Sequence, residues 1–329
     1  MAESRCIPPD SKRKRTESNS QSETQEPERS TAYWFEDGNV ILQVENIQFR
    51  VHRTVIARHS QVFRDMFGLP QPETETLVEG CPLVHVSDAV EDWENIFRIL
   101  YDNDASYKST DKFAFSLLSA MLRLGKKYQF ETLQAQALER IRLELPSSLE
   151  DWDKKFSSGA SHPVISSDRE VDLVNVLLEL GITSLLPVAF FLCILSLHPI
   201  DILRGLTRDD GKTSRFSTET IASLMLARDD ISEAIVDHEY QWAKAPSAVP
   251  TARCSNKYVC ESLRSKVFQT LCPGPNPARA LRNPRKFIGG YCEICGDEVR
   301  RVHLAGRQHI WDNLPSYFEL PDWKDLKDV

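Results

Sequence analysis

The sequence predicts an α+β fold: helices packed on a small sheet, then a mostly α-helical C-terminal region. Two observations carry this. Apolar residues alternate at every second position between residues 40 and 51, and from residue 90 onward they recur at helical spacing. Strands followed by paired helices is the order expected when helices cover one face of a sheet. With 41% hydrophobic and 27% charged residues over 329 positions, the chain has enough apolar surface for a core in most of its length.

Residues 1–30 are Ser-, Glu-, Gln- and Thr-rich and read as a disordered polar tail, because they cannot bury enough area to offset their conformational entropy. Within them, Lys12-Arg13-Lys14-Arg15 is either a nuclear import signal or a solvated charge cluster. Residues 31–145 form the predicted α+β domain. Val40, Leu42 and Val44, then Ile47, Phe49 and Val51, read as a hairpin with one buried face, turned at Glu45-Asn46. Two short helices follow, Thr54 to Arg58 and Gln61 to Phe67, with Ser60 as N-cap of the second. Leu83, Val84 and Val86 indicate a further strand. Asp88 is the expected cap of a helix carrying Val90, Trp93, Phe97 and Leu100. Phe113, Leu117, Met121, Leu124 and Tyr128 make a second stripe. Leu133, Ala137, Ile141 and Leu145 make a third, stopped by Pro146.

Residues 146–170 read as a linker. Residues 171–245 read as a helical region: a pair at Asp172 to Leu180 and Leu185 to Leu197, a polar loop at Thr207 to Arg215, and helices at Thr218 to Arg228 and Ile231 to Trp242. Residues 246–329 read as a Cys-containing C-terminal module with a closing helix near 293–313.

Composition excludes some classes of function. A net charge of -8 argues against non-specific nucleic-acid binding, which needs clustered Lys and Arg. The most basic zone, Arg279, Arg282, Arg285, Lys286, Arg300, Arg301 and Arg307, reads as a solvated helix face. No apolar stretch follows the basic N-terminus, and the longest one, Leu185 to Leu197, is interrupted by Pro187 and falls short of the about 20 residues of a membrane span. Nucleus or cytoplasm is therefore the expected location, with no membrane partner, and a disulfide framework is not expected.

Cys254, Cys260, Cys292 and Cys295 are the candidate metal ligands. A Cys-x2-Cys pair presents two thiolates to one ion from a tight turn, and a second pair completes a tetrahedron, so four sulfurs would make a structural zinc site. Four buried or partly exposed free thiols is the competing reading. Cys272, His303 and His309 are spare candidate ligands. His52-Arg53 has no nucleophile or carboxylate placed beside it in sequence, so His52 reads as a strand-end residue with a local hydrogen bond. Gly211-Lys212-Thr213 fails the spacing of a phosphate-binding loop, with five residues rather than four after Gly205. The chain is not expected to be an enzyme.

The stretch from Asp37 to Phe67 resembles the opening of a BTB/POZ domain: Val40 on the first strand, Phe49 on the second, His52-Arg53, Val55-Ile56-Ala57, Ser60, Phe63 and Met66-Phe67. Ile99-Leu100-Tyr101 and Leu124-Gly125-Lys126-Lys127-Tyr128 match later segments of the same family. The ending, with Trp311, Leu314-Pro315, Phe318, Leu320-Pro321, Trp323 and Leu326, is similar to BTB proteins of mushroom-forming (basidiomycete) fungi. The resemblance implies a mixed sheet with packed helices. It also implies a protein–protein interaction scaffold acting by homodimerisation or partner docking, with a cullin-type ubiquitin-ligase scaffold as candidate partner and a substrate adaptor as the role. Asn39 stands where many members carry Asp, and 102–110 lacks a strand-like core; both count against a strand-exchanged homodimer. A nuclear transcriptional regulator with a structural zinc module is the alternative.

Overall fold

The computed structural model describes residues 26–70, 76–102, 115–156, 169–208, 211–271, 274, 276–283 and 288–328. The first unit contains strands β1 (Glu28–Trp34), β2 (Val40–Val44) and β3 (Ile47–Val51), helices α1 (Arg53–His59) and α2 (Gln61–Gly68), strands β4 (Leu77–Val78) and β5 (Cys81–Val86), and helices α3 (Val90–Tyr101), α4 (Phe115–Tyr128) and α5 (Glu131–Glu144). The sheet order is β1-β3-β2-β5-β4. It is mixed: β2 pairs antiparallel with β3 and parallel with β5, and β1 runs parallel to β3. The predicted hairpin holds, in register from Val40↔Val51 to Val44↔Ile47, with Glu45 in the left-handed region at φ 52°. The one-buried-face expectation does not. Ile41, on the face opposite Val40 and Leu42, is as fully buried as they are, so β2 is covered on both faces there.

Two further differences have physical reasons. β1 begins inside the segment assigned to the polar tail, and Ser30 and Tyr33 are its buried positions. Too few apolar side chains mark that strand, which is held by backbone pairing to β3. Asp88 does not cap α3, whose N-cap position is Ala89 with no side-chain hydrogen bond. The Asp88 carboxylate instead accepts from Trp93 Nε1 at 3.2 Å and Tyr128 Oη at 2.6 Å, tying α3 to α4. Ser60 caps α2 as predicted, accepting from Phe63 N at 3.1 Å and donating to Tyr128 O. Phe49, Phe63, Trp93, Phe97, Tyr128 and Phe130 fill the space between sheet and helices.

The linker reading of 146–170 needs correcting over its first part, residues 157–168 lying outside the described residues. Leu149–Phe156 is a helix (α6), and its Trp152 is buried, 5.4 Å from the Phe191 ring and 5.9 Å from Trp311. The helical region then has α7 (Glu170–Leu180), α8 (Leu186–Ser196), α9 (Pro199–Arg204), a hairpin of β6 (Leu206–Thr207) and β7 (Thr213–Ser214), and α10 (Thr218–Ala234). Gly181 ends α7 in the left-handed conformation, φ 66°, with Ile182 N donating to Leu177 O. Pro187 lies in the first turn of α8, where its missing N–H is tolerated, so the apolar stretch is one buried helix. The two helices expected over 218–242 are one: α10 continues into a π-helical turn, Ile235–Glu239, before α11 (Gln241–Lys244).

The C-terminal module comprises α12 (Lys257–Leu271), α13 (Glu293–Asp312) and α14 (Leu314–Tyr317). Its tail returns to the first unit: Asp328 pairs with Arg142 of α5 at 3.2 Å and accepts from Ser184 N at 3.0 Å. Lys126 of α4 donates to Leu180 O at 2.7 Å, and Arg123 pairs with Glu179 at 2.9 Å. The apolar core is continuous from Tyr33 to Phe318. No helix among the described residues is long and apolar enough to cross a membrane.

Candidate functional site

The four candidate cysteines converge. Their sulfurs all lie within 4.8 Å of one another, and Cys254 Sγ is 3.7 Å from Cys292 Sγ. Each pair uses the same local device. Cys254 precedes α12 and Cys260 lies in its first turn; Cys292 is the N-cap of α13 and Cys295 lies in its first turn. Asn256 caps α12, accepting from Val259 N at 3.2 Å, which explains why five residues rather than two separate the first pair. Two helix N-termini thus meet at one cluster of sulfurs, and their dipoles favour negative charge there. Backbone donors point at the two buried sulfurs: Cys292 N to Cys260 Sγ and Thr251 N to Cys295 Sγ, both at 3.4 Å. The backbone N–H groups of Cys295 and then Ser255 lower the Cys292 thiol to about 6, whereas desolvation pushes Cys254 up to about 12. Trp242 and Tyr291, the latter just before Cys292, pack edge to face at 6.1 Å.

The spare ligands do not join this cluster. His303 is buried elsewhere on α13, its Nδ1 3.0 Å from Glu239 O and its Nε2 2.9 Å from Arg282 O. His309 stacks on His238, with ring centroids 3.8 Å apart. Cys272 lies outside the described residues. Among the described residues, the four cysteines are the only group of three or more Cys, His, Asp or Glu side chains placed to share one ion.

Sequence reasoning missed a second constellation next to His303. Glu239 closes the π turn, fully buried, 3.2 Å from His303 Nε2 and accepting from Leu281 N at 3.0 Å. Arg307, one helical turn beyond His303, is also buried and forks onto Asp153 of α6, 3.1 Å through one nitrogen, and onto Leu281 O at 2.9 Å. Burial pushes Glu239 up to about 8 and His303 down to about 4. Gly306 explains the approach of α13: a Cβ there would lie 2.2 Å from His238 O. Nothing in the sequence pairs position 239 with positions 303–307, because the contact is made only when the π turn meets α13.

The basic zone is mostly neutralised among the described residues. Arg300 pairs with Asp297, Arg301 with Glu298 and Arg307 with Asp153. Lys212 sits at the tip of the β6–β7 hairpin, beside a polar cleft of about 310 Å³ that also receives Arg123, Asp172 and Arg208. Arg208 bonds Asp172 there at 2.7 Å. No helix opens behind that turn to cradle a phosphate, so the failed spacing and the geometry agree. His52 packs between Phe35 and Tyr101, with Nε2 3.2 Å from Asp37. Arg53 lies over Phe67 and donates to its carbonyl at 2.9 Å. Asn39 accepts from Arg53 N at 2.8 Å, so its side chain holds the entry to α1. Residues 103–110, whose weak strand pattern stood out in sequence, lie outside the described residues.

The chain matches no curated protein sequence. One family model does match, that of the BTB/POZ domain, over residues 35–143, which takes in β2 to β5 and α1 to α5. The match also spans the His52-Arg53 turn, and residues 35–143 of this chain form a BTB/POZ domain, a protein-interaction domain.

Proposed function

We propose that the chain is a protein–protein interaction scaffold, in which the BTB/POZ domain pairs with a second copy of the chain or docks a partner and the helical body holds a target. The BTB/POZ domain at residues 35–143 carries this reading. Parts of its helical layer are already occupied by the chain itself: α4 by Leu180 and Glu179, α5 by Asp328. Docking is therefore assigned to the rest of the domain and to β1, the edge strand that precedes it in the same sheet. Unpaired N–H and C=O groups along such an edge are a template for a further strand. Within this reading the partner is a cullin-type ubiquitin-ligase scaffold and the chain its substrate adaptor.

Light scattering on the full chain tests it, with binding of a purified cullin N-terminal domain followed by calorimetry. A mass of two chains, stable on dilution, supports self-association. A monomer that binds the cullin domain supports the adaptor role. A monomer that binds neither itself nor a cullin overturns both.

A further inference from the structure

We propose that Cys254, Cys260, Cys292 and Cys295 bind one zinc ion as a closed four-thiolate centre that locks the N-terminus of α12 onto that of α13. A Zn–S bond of about 2.3 Å puts the sulfurs of a regular tetrahedron about 3.8 Å apart. The Cys254–Cys292 pair is at 3.7 Å, and the widest pair is within 4.8 Å, so it closes by about 1 Å at most. The same 3.7 Å is far from the about 2.05 Å of a disulfide. Both pairs sit at a helix N-terminus: Cys292 and Cys295 at the N-cap and third position of α13, Cys254 two residues before the capping Asn256 and Cys260 at the fourth position of α12.

Donor chemistry selects the ion. All four ligands are sulfur, which favours zinc over magnesium or calcium, and four protein ligands leave no open position, so the role is structural. The negative charge of a tetrathiolate complex is met by the two helix N-termini and by the N–H donors of Thr251 and Cys292.

A second observation points the same way. Of the described side chains on α12, only Cys260 and Arg264 are buried, Val267 and Phe268 pack partly buried against the core, and Tyr258 is 86% exposed. A helix of 15 residues with so little core of its own has weak means of staying docked. Metal ligation supplies what apolar packing does not, as in other modules whose folding is coupled to a metal. The centre holds or fails independently of what the BTB/POZ domain binds.

The test uses the full chain, grown with added zinc and purified with mild reductant and no chelator. Elemental mass spectrometry is expected to find one zinc per chain. Replacement by cobalt is expected to give the intense visible bands of a tetrahedral site with thiolate-to-metal charge transfer in the near ultraviolet. Chelator is expected to open the chain to protease within residues 245–292 while the BTB/POZ domain stays intact. Cys292→Ser, at a half-exposed ligand, is expected to shift the cobalt bands and weaken zinc at least tenfold. Should that variant misfold, the cobalt spectrum of the unaltered chain still decides. Zinc-free protein whose protease pattern ignores both zinc and chelator overturns the proposal, and so does iron in the site or a pair of disulfides found by mass spectrometry.

Discussion

Gly306→Ala tests whether the contact between α13 and the π turn is as close as the backbone implies. The added methyl would lie 2.2 Å from His238 O and 2.5 Å from Glu239 Cα, where ordinary contacts begin near about 3.5 Å. Both atoms are backbone, so no rotamer change relieves the overlap, and α13 must retreat by about 1 Å. Its buried neighbours Glu239, His303, Arg307 and Trp311 then lose contacts together. Overpacking of this kind costs about 3 kcal/mol, the upper end of the usual range, while alanine regains about 1 kcal/mol of helix propensity. The net expectation is a loss of about 2 kcal/mol. Gly296→Ala is the matched control on the same helix: its nearest contact is the Ile288 Cγ2 methyl at 3.2 Å, so stability stays level or rises by up to about 1 kcal/mol. Urea unfolding followed by circular dichroism, with excess zinc in every sample, reads both midpoints at constant slope. Equal midpoints for the two variants would refute the close approach.

Two more outcomes follow from the buried polar groups. Glu239, held at about 8 against an ordinary 4.5, keeps its proton longer in the folded than in the unfolded chain, so stability falls as pH rises from 4.5 through 8. His303, pulled down to about 4 from 6.5, makes stability fall as pH drops from 6.5 to 4. The two slopes oppose each other between 4.5 and 6.5; above 6.5 His303 no longer contributes, and Glu239 is opposed by the Cys292 thiol, lowered to about 6. Glu239→Gln, which keeps an acceptor for Leu281 N, is expected to become progressively more stable relative to the unaltered chain as pH rises from 6.5 to 8 in thermal melts and to leave the acid limb in place; a pH-independent difference counts against the assignment. Asp88→Ala strands the Trp93 N–H and the Tyr128 hydroxyl and is expected to lose about 2–4 kcal/mol in the same urea assay. A smaller loss for Asp88→Asn, which retains one acceptor, distinguishes the hydrogen bonds from simple packing.

How much was legible in the sequence depended on the range of the signal. The β2–β3 hairpin, the Ser60 cap and the α3 to α5 stripes are local patterns of period two or 3.6, and they appear where they were read, with Phe113 outside the described residues. α6 was legible too, since Leu149, Trp152 and Phe156 recur at helical spacing, but its charged residues made it look like a linker. The four cysteines were identifiable from residue type together with their paired spacing along the chain.

By itself the sequence determined the chemistry available: which residues favour strands or helices, which thiols could share an ion, and a BTB/POZ-like order of motifs. Tertiary structure decided what those residues face. It brought Cys254 and Cys260 within reach of Cys292 and Cys295, turned Asp88 from a cap into a bridge, and buried Glu239 against His303. Those outcomes depend on contacts between segments tens of residues apart. Periodicity along the chain reports which face of an element is apolar, but it does not report which other element that face meets.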